Sequence, residues 1–560
     1  MELYDIIITY MEKIMIEEVL KRIEEQIKTI VIKLYSKELD VFFEVPKDST
    51  FGDYSVNVAM RLARELKKNP VLIAKEIVKL INLEELKLER VDVKGSGFIN
   101  LFIDRHFLHE VVFLINKEKD NYGNLKIGQK EYINLEFVSA NPTGYLHIGH
   151  GRGAAYGDSL ARILRKAGYR VSTEHYVNDA GKQIENLTNS IYERYKELFG
   201  FDINLKEDYY HGKEIIEIAK LIKDDKGDYF LGNDWFEYFR TFGLDYLLNG
   251  LKKDLNDFNV VFDNWFSEKS LYDNNDVEKT LNFLVDNAYT YELDGAVWLK
   301  TTMYGDEKDR VLVKSDGNMT YLLPDVAYHY NKLLRGYTHL IDVLGSDHHG
   351  YVPRLKAAIA FVGGNPDLLD VEILQMVRAI QDGKEVKMSK RSGKSITLRD
   401  LIDEVGSDAL RYMYISKSLS THMDLDLDLA IKNTNENPVF YVQYAYARIC
   451  SLFSILNDRG LEFKEVTKFE LIDFNKSSKI VLDLIQYPQY IEEAALKRLP
   501  HKICQYVYSL ASDLHSYYND EKIITDNILE MNEKLTLLKA VQIVLKNSLE
   551  LIGVKVKEKM

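Results

Sequence analysis

Cysteine is almost absent from this chain of 560 residues, which contains only Cys450 and Cys504. Two widely separated thiols cannot form the framework of disulfide bonds that stabilises small secreted domains. They also lack the Cys-x-x-Cys spacing of a structural zinc site. The sequence therefore excludes a disulfide-stabilised secreted module and a thiol-ligated zinc protein.

Long apolar runs are missing too. No stretch is predicted to span a bilayer, and the acidic first residues, Met1-Glu-Leu-Tyr-Asp5, lack the basic region of a secretory signal. With 46% hydrophobic residues the chain can still build large cores. Its length exceeds several-fold the roughly 100–150 residues of a typical domain. We expect a soluble, cytoplasmic protein with several domains.

Positive charge is in deficit, since 73 basic residues face 87 acidic ones and give a formal net charge of −14. Proteins that bind nucleic acid usually carry an excess of Lys and Arg on the binding face. An RNA partner would therefore need local basic clusters. Such clusters occur at residues 162–170, 384–399 and, more weakly, 497–502.

The most informative segment is 139–150, Ser-Ala-Asn-Pro-Thr-Gly-Tyr-Leu-His-Ile-Gly-His. It follows an alternating apolar pattern at 133–137, and a helix rich in small residues is predicted at 149–166, before a second strand at 169–177. Strand, helix and strand in this order predict a right-handed crossover and a parallel sheet. Such sheets bind ligands at the carboxyl ends of their strands, where the His-Ile-Gly-His sequence falls.

This segment has the chemistry of a phosphate site. Gly149 and Gly151 would let a nucleotide approach the backbone at a helix N-terminus, and His147 and His150 could donate hydrogen bonds to phosphate oxygens. Structural packing or metal ligation are the alternatives for two histidines at this spacing. A zinc site would need further ligands, and the sequence offers no Cys/His cluster to supply them.

A second unit follows at 339–377. A strand is predicted at 339–344, a helix at 352–362 and an apolar strand-like run at 371–377. The cationic stretch 383–394 comes next and contains Lys387-Met388-Ser389-Lys390. A flexible basic loop there could close over a triphosphate, and a solvated charge run is the alternative. The two units predict a doubly wound domain with one long insertion at about 180–335.

His147-Ile-Gly-His150 and Lys387-Met-Ser-Lys390 resemble the two signatures of class I aminoacyl-tRNA synthetases. Arg391 departs from the family, which usually has Ser there, but both lysines are kept. Further matches resemble the arginyl-tRNA synthetase family, and their order and spacing are specific. These matches are Phe51-Gly-Asp-Tyr-Ser55, Gly97-Phe-Ile-Asn100, Glu136-Phe-Val-Ser-Ala-Asn-Pro-Thr-Gly144, Tyr321-Leu-Leu-Pro-Asp325, Gly345-Ser-Asp-His-His-Gly-Tyr351 and Asp408-Ala-Leu-Arg411.

The resemblance implies a set of site residues. His147, His150, Lys387 and Lys390 would stabilise the reacting phosphate. The residues expected to contact ATP are Gly149, Gly151, Gly345, Asp347, Met388 and Ser389. The residues expected to bind arginine are Glu136, Asn141, Tyr321, Asp325 and His348. Carboxylates suit a guanidinium because they bind it in bidentate, charge-assisted geometry. A surface strand carboxylate is the alternative for Glu136, and a helix cap for Asp325.

The resemblance also implies three domains in an α/β fold. An α+β N-terminal additional domain that binds tRNA would cover 1–115, with the polar stretch 116–131 as its linker. A Rossmann-type catalytic domain would cover 130–425, and an all-helical anticodon-binding domain 426–560. The alternating segment Asp424-Leu-Asp-Leu-Asp-Leu429 between the last two lacks the Gly and Glu of a calcium loop, so we interpret it as a connector.

Two candidate surfaces for tRNA follow from these assignments. Phe98 and Asn100 share one face of a strand that could stack on bases, although packing of the sheet on its helices is the default alternative. In the helical domain Tyr441, Tyr444 and Arg448 could stack on unpaired bases. Burial in the helical core is an equally good interpretation of these tyrosines.

The implied function is arginine–tRNA ligation. Arginine would attack the α-phosphate of ATP, with Mg²⁺ on the triphosphate, and the arginyl group would pass to the 3′-terminal adenosine of tRNA(Arg). Adenylate formation is expected to require tRNA, and we expect a monomer. A small-molecule adenylyltransferase leaves the N- and C-terminal regions unexplained. A non-catalytic RNA-binding paralogue predicts eroded motifs, whereas these are intact.

Overall fold

The structure is a computed structural model that describes residues 2–46, 48–386 and 396–560. The first unit is an antiparallel four-stranded sheet of order β1-β2-β4-β3, covered by helices. Its elements are α1 (Glu2–Tyr35), β1 (Phe43–Glu44), β2 (Tyr54–Val56), α2 (Val58–Leu66), α3 (Pro70–Val78), β3 (Leu88–Lys94) and β4 (Phe98–Ile103). Val56, Ile99 and Leu101 are buried between the sheet and its helices. The α+β composition expected of this domain, and the strand containing Phe98 and Asn100, are present.

The predicted linker is partly a helix that belongs with the far end of the chain. Asp104 caps α4 (Arg105–Glu118), which packs on the C-terminal helical domain. The His109 imidazole contacts Ser477 Oγ at 2.7 Å, and the Asn116 side chain donates to the Thr536 carbonyl at 3.0 Å. Tyr122, beyond the helix, donates to the Leu484 carbonyl at 2.8 Å. Residues 105–122 therefore bridge two domains rather than forming a free linker at 116–131.

The central sheet begins with the predicted strand–helix–strand unit. Its elements are β5 (Tyr132–Glu136), α5 (Ile148–Lys166) and β6 (Arg170–Val177). The two strands pair in parallel, with Ile133 opposite Val171. Phe137 is fully buried and lies against Gly157 of α5, where a Cβ atom would come within 2.2 Å of the Phe137 ring. This glycine therefore lets the helix lie directly on the end of the sheet.

The predicted insertion at 180–335 is interrupted by a strand of the central sheet. Three helices come first, and then the chain returns to the sheet. These elements are α6 (Lys182–Glu197), α7 (Lys213–Lys226), α8 (Phe236–Asp257), β7 (Asn264–Ser267) and α9 (Glu268–Asp273). Because β7 pairs in parallel with β6, the segment consists of two separate insertions on either side of a strand of the central sheet. The prediction of one insertion is therefore wrong.

A small unit of helix and antiparallel strands forms the second insertion, and the chain then completes the central sheet. The elements are α10 (Asp276–Asp286), β8 (Thr290–Leu293), β9 (Ala296–Leu299), β10 (Arg310–Val313), α11 (Leu322–Leu334), β11 (His339–Gly345), α12 (Val352–Phe361) and β12 (Leu369–Leu374). The finished sheet has the parallel order β12-β11-β5-β6-β7. The strand order reverses between β5 and β11, where a doubly wound sheet binds its ligands.

The apolar run predicted as one strand at 371–377 is divided between two sheets. The chain leaves the central sheet after β12 and enters a three-stranded sheet of order β14-β13-β15. The elements are β13 (Val377–Gln381), β14 (Lys384–Val386), α13 (Leu398–Val405), α14 (Ser407–Ile415), β15 (Met423–Asp426) and α15 (Leu427–Ala430). The predicted connector at 424–429 is therefore a strand, paired in parallel with β13, followed by a short helix.

The last domain is helical, as predicted. It contains α16 (Pro438–Asp458), α17 (Phe474–Leu496), α18 (His501–Asp520) and α19 (Ile528–Leu551). By length and composition α16 could cross a membrane, so the prediction that no stretch reaches this length and apolarity is wrong. Its buried residues Val442, Ile449 and Leu456 lie in the hydrophobic core, and the helix packs on α18 and α19.

The residues after α19 pack onto the catalytic domain. The buried Arg411 guanidinium of α14 donates to the Ile552 carbonyl at 2.9 Å, to the Phe258 carbonyl at 3.0 Å and to Asp158 Oδ2 at 2.6 Å. Gly553 lies against this guanidinium in a left-handed conformation, with φ of 68°. One buried cation therefore joins α5, the end of α8 and the C-terminal tail.

Candidate active site

The two histidines of the first motif cap the catalytic helix α5. His147 is the N-cap residue, and its Nδ1 accepts hydrogen bonds from the backbone N–H groups of Gly149, at 3.1 Å, and His150, at 3.4 Å. His150 Nδ1 in turn accepts from the His147 backbone N–H at 3.2 Å. The two rings stack with centroids 3.6 Å apart. This reciprocal cap fixes both rings at the N-terminus of a long helix.

The protonation state of the pair follows from this geometry. Because both Nδ1 atoms accept hydrogen bonds, each neutral ring carries its proton on Nε2. Burial lowers the pKa of His147, and burial together with His147 and His175 lowers the pKa of His150 to about 3. Both rings are therefore neutral at physiological pH and can donate through Nε2–H without carrying charge.

The chain that follows the second motif lies beside the first motif. Thr397 forms a β-bridge with His147, and the Leu398 N–H donates to the Leu146 carbonyl at 2.7 Å. Lys387, Met388, Ser389 and Lys390 lie outside the residues that the structure describes. The second motif stands in the sequence between β14 and α13, and Thr397, the residue before α13, lies next to His147. The structure thus joins the two regions that the sequence separates.

The glycines of the first motif have different roles. Among the described residues, a Cβ atom on Gly149 would meet only the His147 ring, at 3.1 Å. A Cβ atom on Gly151 would lie 2.9 Å from Leu398 Cδ1 and 3.0 Å from the Tyr414 hydroxyl. Gly151 is buried, so its small size serves packing of α5 on α13 and α14 rather than the approach of a nucleotide. The predicted contact of Gly151 with ATP therefore does not fit this structure.

Two carboxyl groups at the carboxyl edge of the sheet have no cationic partner among the described residues. Asp325 lies on α11 and accepts a hydrogen bond from the Tyr351 hydroxyl. Glu268 is buried at the start of α9, directly after β7. Burial raises the pKa of Asp325 to about 6 and, with the charge of Asp325, that of Glu268 to about 7. The raised pKa values show that no neighbouring cation stabilises the ionised form of these two groups, and a bound guanidinium would do so.

Glu268 was not predicted from the sequence. It stands alone between a four-residue strand and a short helix, and no motif surrounds it. Only the folded arrangement brings it close enough to Asp325 for their charges to repel. Tyr176 and Tyr272 lie near the same pair, and burial beside these carboxylates raises the pKa of Tyr272 to about 12. Tyrosine rings and carboxylates together form a pocket suited to a planar cation.

Glu136, by contrast, is already fully hydrogen-bonded. Its Oε2 accepts from Lys332 Nζ at 2.7 Å and from the Tyr328 hydroxyl at 2.9 Å, and its Oε1 accepts from Ser139 at 2.8 Å. Burial disfavours the Lys332 ammonium, but Asp342 and Glu136 outweigh that effect and raise its pKa. Glu136 therefore belongs to a buried ion network below the pocket and is not a surface strand carboxylate.

The other predicted arginine and ATP ligands lie at the same edge of the sheet. Tyr321 is 73% exposed at the start of α11. Asn141 donates to Gln183 Oε1 at 2.9 Å, which links it to the first turn of α6. Gly345 ends β11, and His348 Nε2 lies 3.5 Å from Asp347 Oδ2, whose side chain is 82% exposed. Exposed polar groups thus lie at this edge of the sheet.

The two candidate tRNA surfaces differ. Asn100 is only 2% exposed and accepts a hydrogen bond from Ser55 at 2.9 Å, so it packs inside the domain. Phe98 is partly exposed. In the helical domain Tyr444 is exposed, and its ring stacks at 5.7 Å on His515, which also contacts Tyr441. The predicted stacking of Asn100 on RNA does not fit its burial.

Arg448 extends this aromatic surface. Its guanidinium lies 3.7 Å above the Tyr518 ring and within 3.3 Å of His515 Nδ1. Tyr446, on the opposite side of α16, is buried. Aromatic rings and an arginine plane on one face form a platform on which unpaired bases could stack.

Three family models match the chain in the order of these domains. The arginyl tRNA synthetase N terminal domain matches residues 18–103, and the tRNA synthetases class I (R) catalytic domain matches 111–425. The DALR anticodon binding domain matches 442–560. The catalytic model covers β5, α5 and the complete parallel sheet.

Curated relatives and solved structures agree with these models. The arginine–tRNA ligase of Anoxybacillus flavithermus is 48% identical over 97% of this chain and all of its own length. That of Bacillus subtilis is 48% identical over 96% and 98%. A crystal structure from Campylobacter jejuni, described as an arginyl-tRNA synthetase, has a TM-score of 0.75 at 34% identity and covers 81% of this chain and 100% of its own. The chain therefore belongs to the arginyl-tRNA synthetase family of class I.

Proposed function

We propose that this chain activates L-arginine with ATP and transfers the arginyl group to the 3′-terminal adenosine of tRNA(Arg). The observation that carries the proposal is the pair Asp325 and Glu268, two carboxyl groups without a cationic partner among the described residues. They lie at the same sheet edge as the helix capped by His147 and His150. A guanidinium pocket and a phosphate site thus share one opening.

Arginine would enter with its guanidinium between these two carboxylates. Each raised pKa would return toward its ordinary value on binding, because a cation favours the ionised form. Tyr321 would close the pocket opening, and Asn141 and His348 would hold the amino and carboxylate groups. Glu136 would act indirectly, since Lys332 and Tyr328 occupy its oxygens and its network supports the pocket floor.

Adenylate formation would be a direct displacement. An oxygen of the arginine carboxylate attacks the α-phosphorus in line, the bond to the bridging oxygen breaks, and pyrophosphate leaves with that electron pair. His147 and His150 would donate their Nε2–H groups to phosphate oxygens, and Lys387 and Lys390 would add positive charge. The protein then accelerates the step by positioning and by stabilising charge, without a covalent enzyme intermediate.

In the second step a terminal ribose hydroxyl of tRNA attacks the carbonyl carbon of the adenylate. The bond to the phosphate oxygen breaks, AMP leaves, and its phosphate accepts the hydroxyl proton. Tyr441, Tyr444 and Arg448 would bind the anticodon region, and the N-terminal domain, through the exposed part of Phe98, would contact another part of the tRNA.

Magnesium fits this site as part of the substrate. Among the described residues no group of three or more His, Cys, Asp and Glu side chains could hold a metal ion. Mg²⁺ commonly binds through substrate phosphates and one or two carboxylates, and Asp347 at the end of β11 is exposed and available for this. Mg²⁺ would neutralise charge on the triphosphate. We also propose a cytoplasmic monomer.

The test is ATP–pyrophosphate exchange measured with each of the twenty amino acids, with and without tRNA. We expect exchange with arginine alone among them, and only when tRNA is present. Exchange without tRNA would remove the tRNA requirement but keep the enzyme, and no exchange with any amino acid would overturn the proposal. Replacing His150 with Gln should lower the exchange rate by about 10²–10³, the usual effect of losing one donor to a transition-state oxyanion.

A further inference from the structure

The side chain of Arg152 is an anomaly of the catalytic helix. It follows the His-Ile-Gly-His motif by two residues on α5 and is 0% exposed. No carboxylate within ion-pair distance is found among the described residues, and burial lowers the pKa of its guanidinium to about 10. A buried cation without a counter-ion is costly, so its retention calls for a specific interaction.

Its partners are backbone carbonyls from two separate segments. Nη1 donates to the Gln375 carbonyl at 3.0 Å and to the Thr421 carbonyl at 2.9 Å, and Nη2 donates to the Ser418 carbonyl at 2.8 Å. The Nε–H is buried and makes no hydrogen bond to the residues that the structure describes. The guanidinium thus joins two chain segments that are more than forty positions apart in sequence.

Both segments lead directly into the sheet β14-β13-β15. Gln375 precedes β13, Thr421 precedes β15, and these strands pair in parallel from Val377 opposite Met423. The backbone bonds from Gln375 N to Leu419 O and from Met423 N to Met376 O join the same two segments. Arg152 therefore holds the point at which β13 and β15 begin to pair.

The last residue of this sheet's strand β14 immediately precedes the second motif in the sequence. β14 pairs with β13 and ends at Val386, immediately before Lys387. From the same turn of α5, the Ile148 carbonyl accepts a hydrogen bond from Tyr414 at 2.9 Å, so this turn is fixed on a second side. The helix with His147 and His150 is thus joined through one side chain to the strands that precede the cationic motif.

We propose that Arg152 is a positioning residue for adenylate formation. It sets the place of the β13–β14 hairpin relative to the N-terminus of α5, and so the relative position of the two signature motifs. The inference rests on the proposed roles of those motifs. It concerns the ATP-dependent step, because Arg152 has no contact with the pocket formed by Asp325 and Glu268.

The variants for the test are Arg152→Lys, Arg152→Met and, as a control, Arg194→Met. Lys keeps the positive charge, but all its N–H donors are on one nitrogen. In the unaltered chain two nitrogens of Arg152, Nη1 and Nη2, donate to the three carbonyls. Arg194 lies on α6, is largely buried and donates to Glu197 Oε2 at 2.7 Å, so its removal tests the loss of a largely buried arginine outside the proposed site. All three variants are compared with the unaltered chain in arginine-dependent exchange in the presence of tRNA.

We expect both Arg152 variants to lose about 10²-fold in kcat for exchange, the effect of misplacing reacting groups by about 1 Å, with KM for arginine unchanged. Amide hydrogen exchange should accelerate in 377–386 and 423–426 but not in α16–α19. Arg194→Met should keep kcat. If the unaltered chain exchanges and both Arg152 variants keep its kcat, or if both fail to fold, the inference is overturned. A failure of the unaltered chain itself would instead overturn the proposed function.

Discussion

At the scale of single residues, the ionisation of Asp325 and Glu268 decides whether the pocket attracts a cation. Burial makes both carboxyl groups weaker acids than usual, and the charge of Asp325 raises the pKa of Glu268 further. Arginine itself stays protonated throughout the accessible pH range. The pH dependence of arginine binding therefore reports on these two groups.

We predict that kcat/KM for arginine falls as the pH decreases from about 7 to below 6. The groups carry raised pKa values of about 7 and about 6 in the free enzyme, so they take up protons in this window and lose their attraction for the guanidinium. The parameter kcat/KM follows ionisations of the free enzyme. A flat profile between pH 5 and 8, from steady-state exchange, would contradict this assignment.

Removing either charge should weaken arginine binding. Asp325→Asn and Glu268→Gln are each expected to raise KM for arginine by about tenfold to 150-fold, because a hydrogen bond to a charged group contributes about 1.5–3 kcal/mol. KM for ATP should not change. Glu278→Gln, at an exposed position on the neighbouring helix α10, serves as the control and should leave both KM values unaltered. Equal effects of all three variants would argue against the pocket.

At the scale of elements, the packing of the first turns of α5 on α13 and α14 depends on Gly151, which has no side chain. We predict that Gly151→Ala lowers the free energy of unfolding by about 1–3 kcal/mol, because the new methyl would overlap Leu398 and Tyr414. Gly250→Ala in α8 is the matched control, since no atom lies within 4 Å of its added Cβ. That variant should gain up to about 1 kcal/mol from helix propensity. Urea unfolding of both variants measures the difference.

Helices α17 and α18 meet at a pair of acidic residues. Burial, with a hydrogen bond to Asp513, raises the pKa of Asp483 to about 8. The folded state thus binds a proton that the unfolded state releases at about 4, so this contribution to stability is lost as the pH rises between these values. We predict that Asp483→Asn reduces the fall in Tm between pH 6 and 9. Asp458→Asn, an exposed control, should keep the original slope.

The sequence predicts elements well where a strong apolar period ends at Gly or Pro. The units β5-α5-β6 and β11-α12-β12 are of this kind, and their bounds agree within a few residues. β7 was missed because four half-buried residues carry no period. β13 was merged with β12 because only Gln375 and Met376 separate them, without a glycine or proline to mark the change of sheet.

The site was predictable to a similar degree. His147, His150, Asn141, Tyr321 and Asp325 stand in recognisable motifs, and the fold brings them to one edge of the sheet. Glu268 and Arg152 could not be assigned, since the role of each arises from partners that lie more than fifty positions away in sequence. Burial of Gly151 and Asn100 likewise depends on contacts that no local pattern contains.

At the scale of the whole molecule, the C-terminal tail and the catalytic domain are one packed unit. We predict that Gly553→Ala destabilises the protein more than Gly460→Ala. Both glycines have φ near 65°, but a Cβ atom on Gly553 would lie 2.2 Å from the Arg411 guanidinium, whereas nothing lies within 4 Å at Gly460. Placing Ala in a left-handed backbone conformation costs about 1–2 kcal/mol at either position. The difference in Tm between the two variants therefore measures the cost of displacing Arg411.

The hydrogen bond from Arg411 to the Ile552 carbonyl also has a consequence for biosynthesis. A chain emerges from the ribosome from its N-terminus and its domains form in that order. Here the catalytic domain obtains an acceptor for a buried guanidinium only after the last helix has been synthesised. A product of premature termination before residue 552 leaves that donor unsatisfied, so truncated chains are less stable and become preferred substrates for cellular proteases.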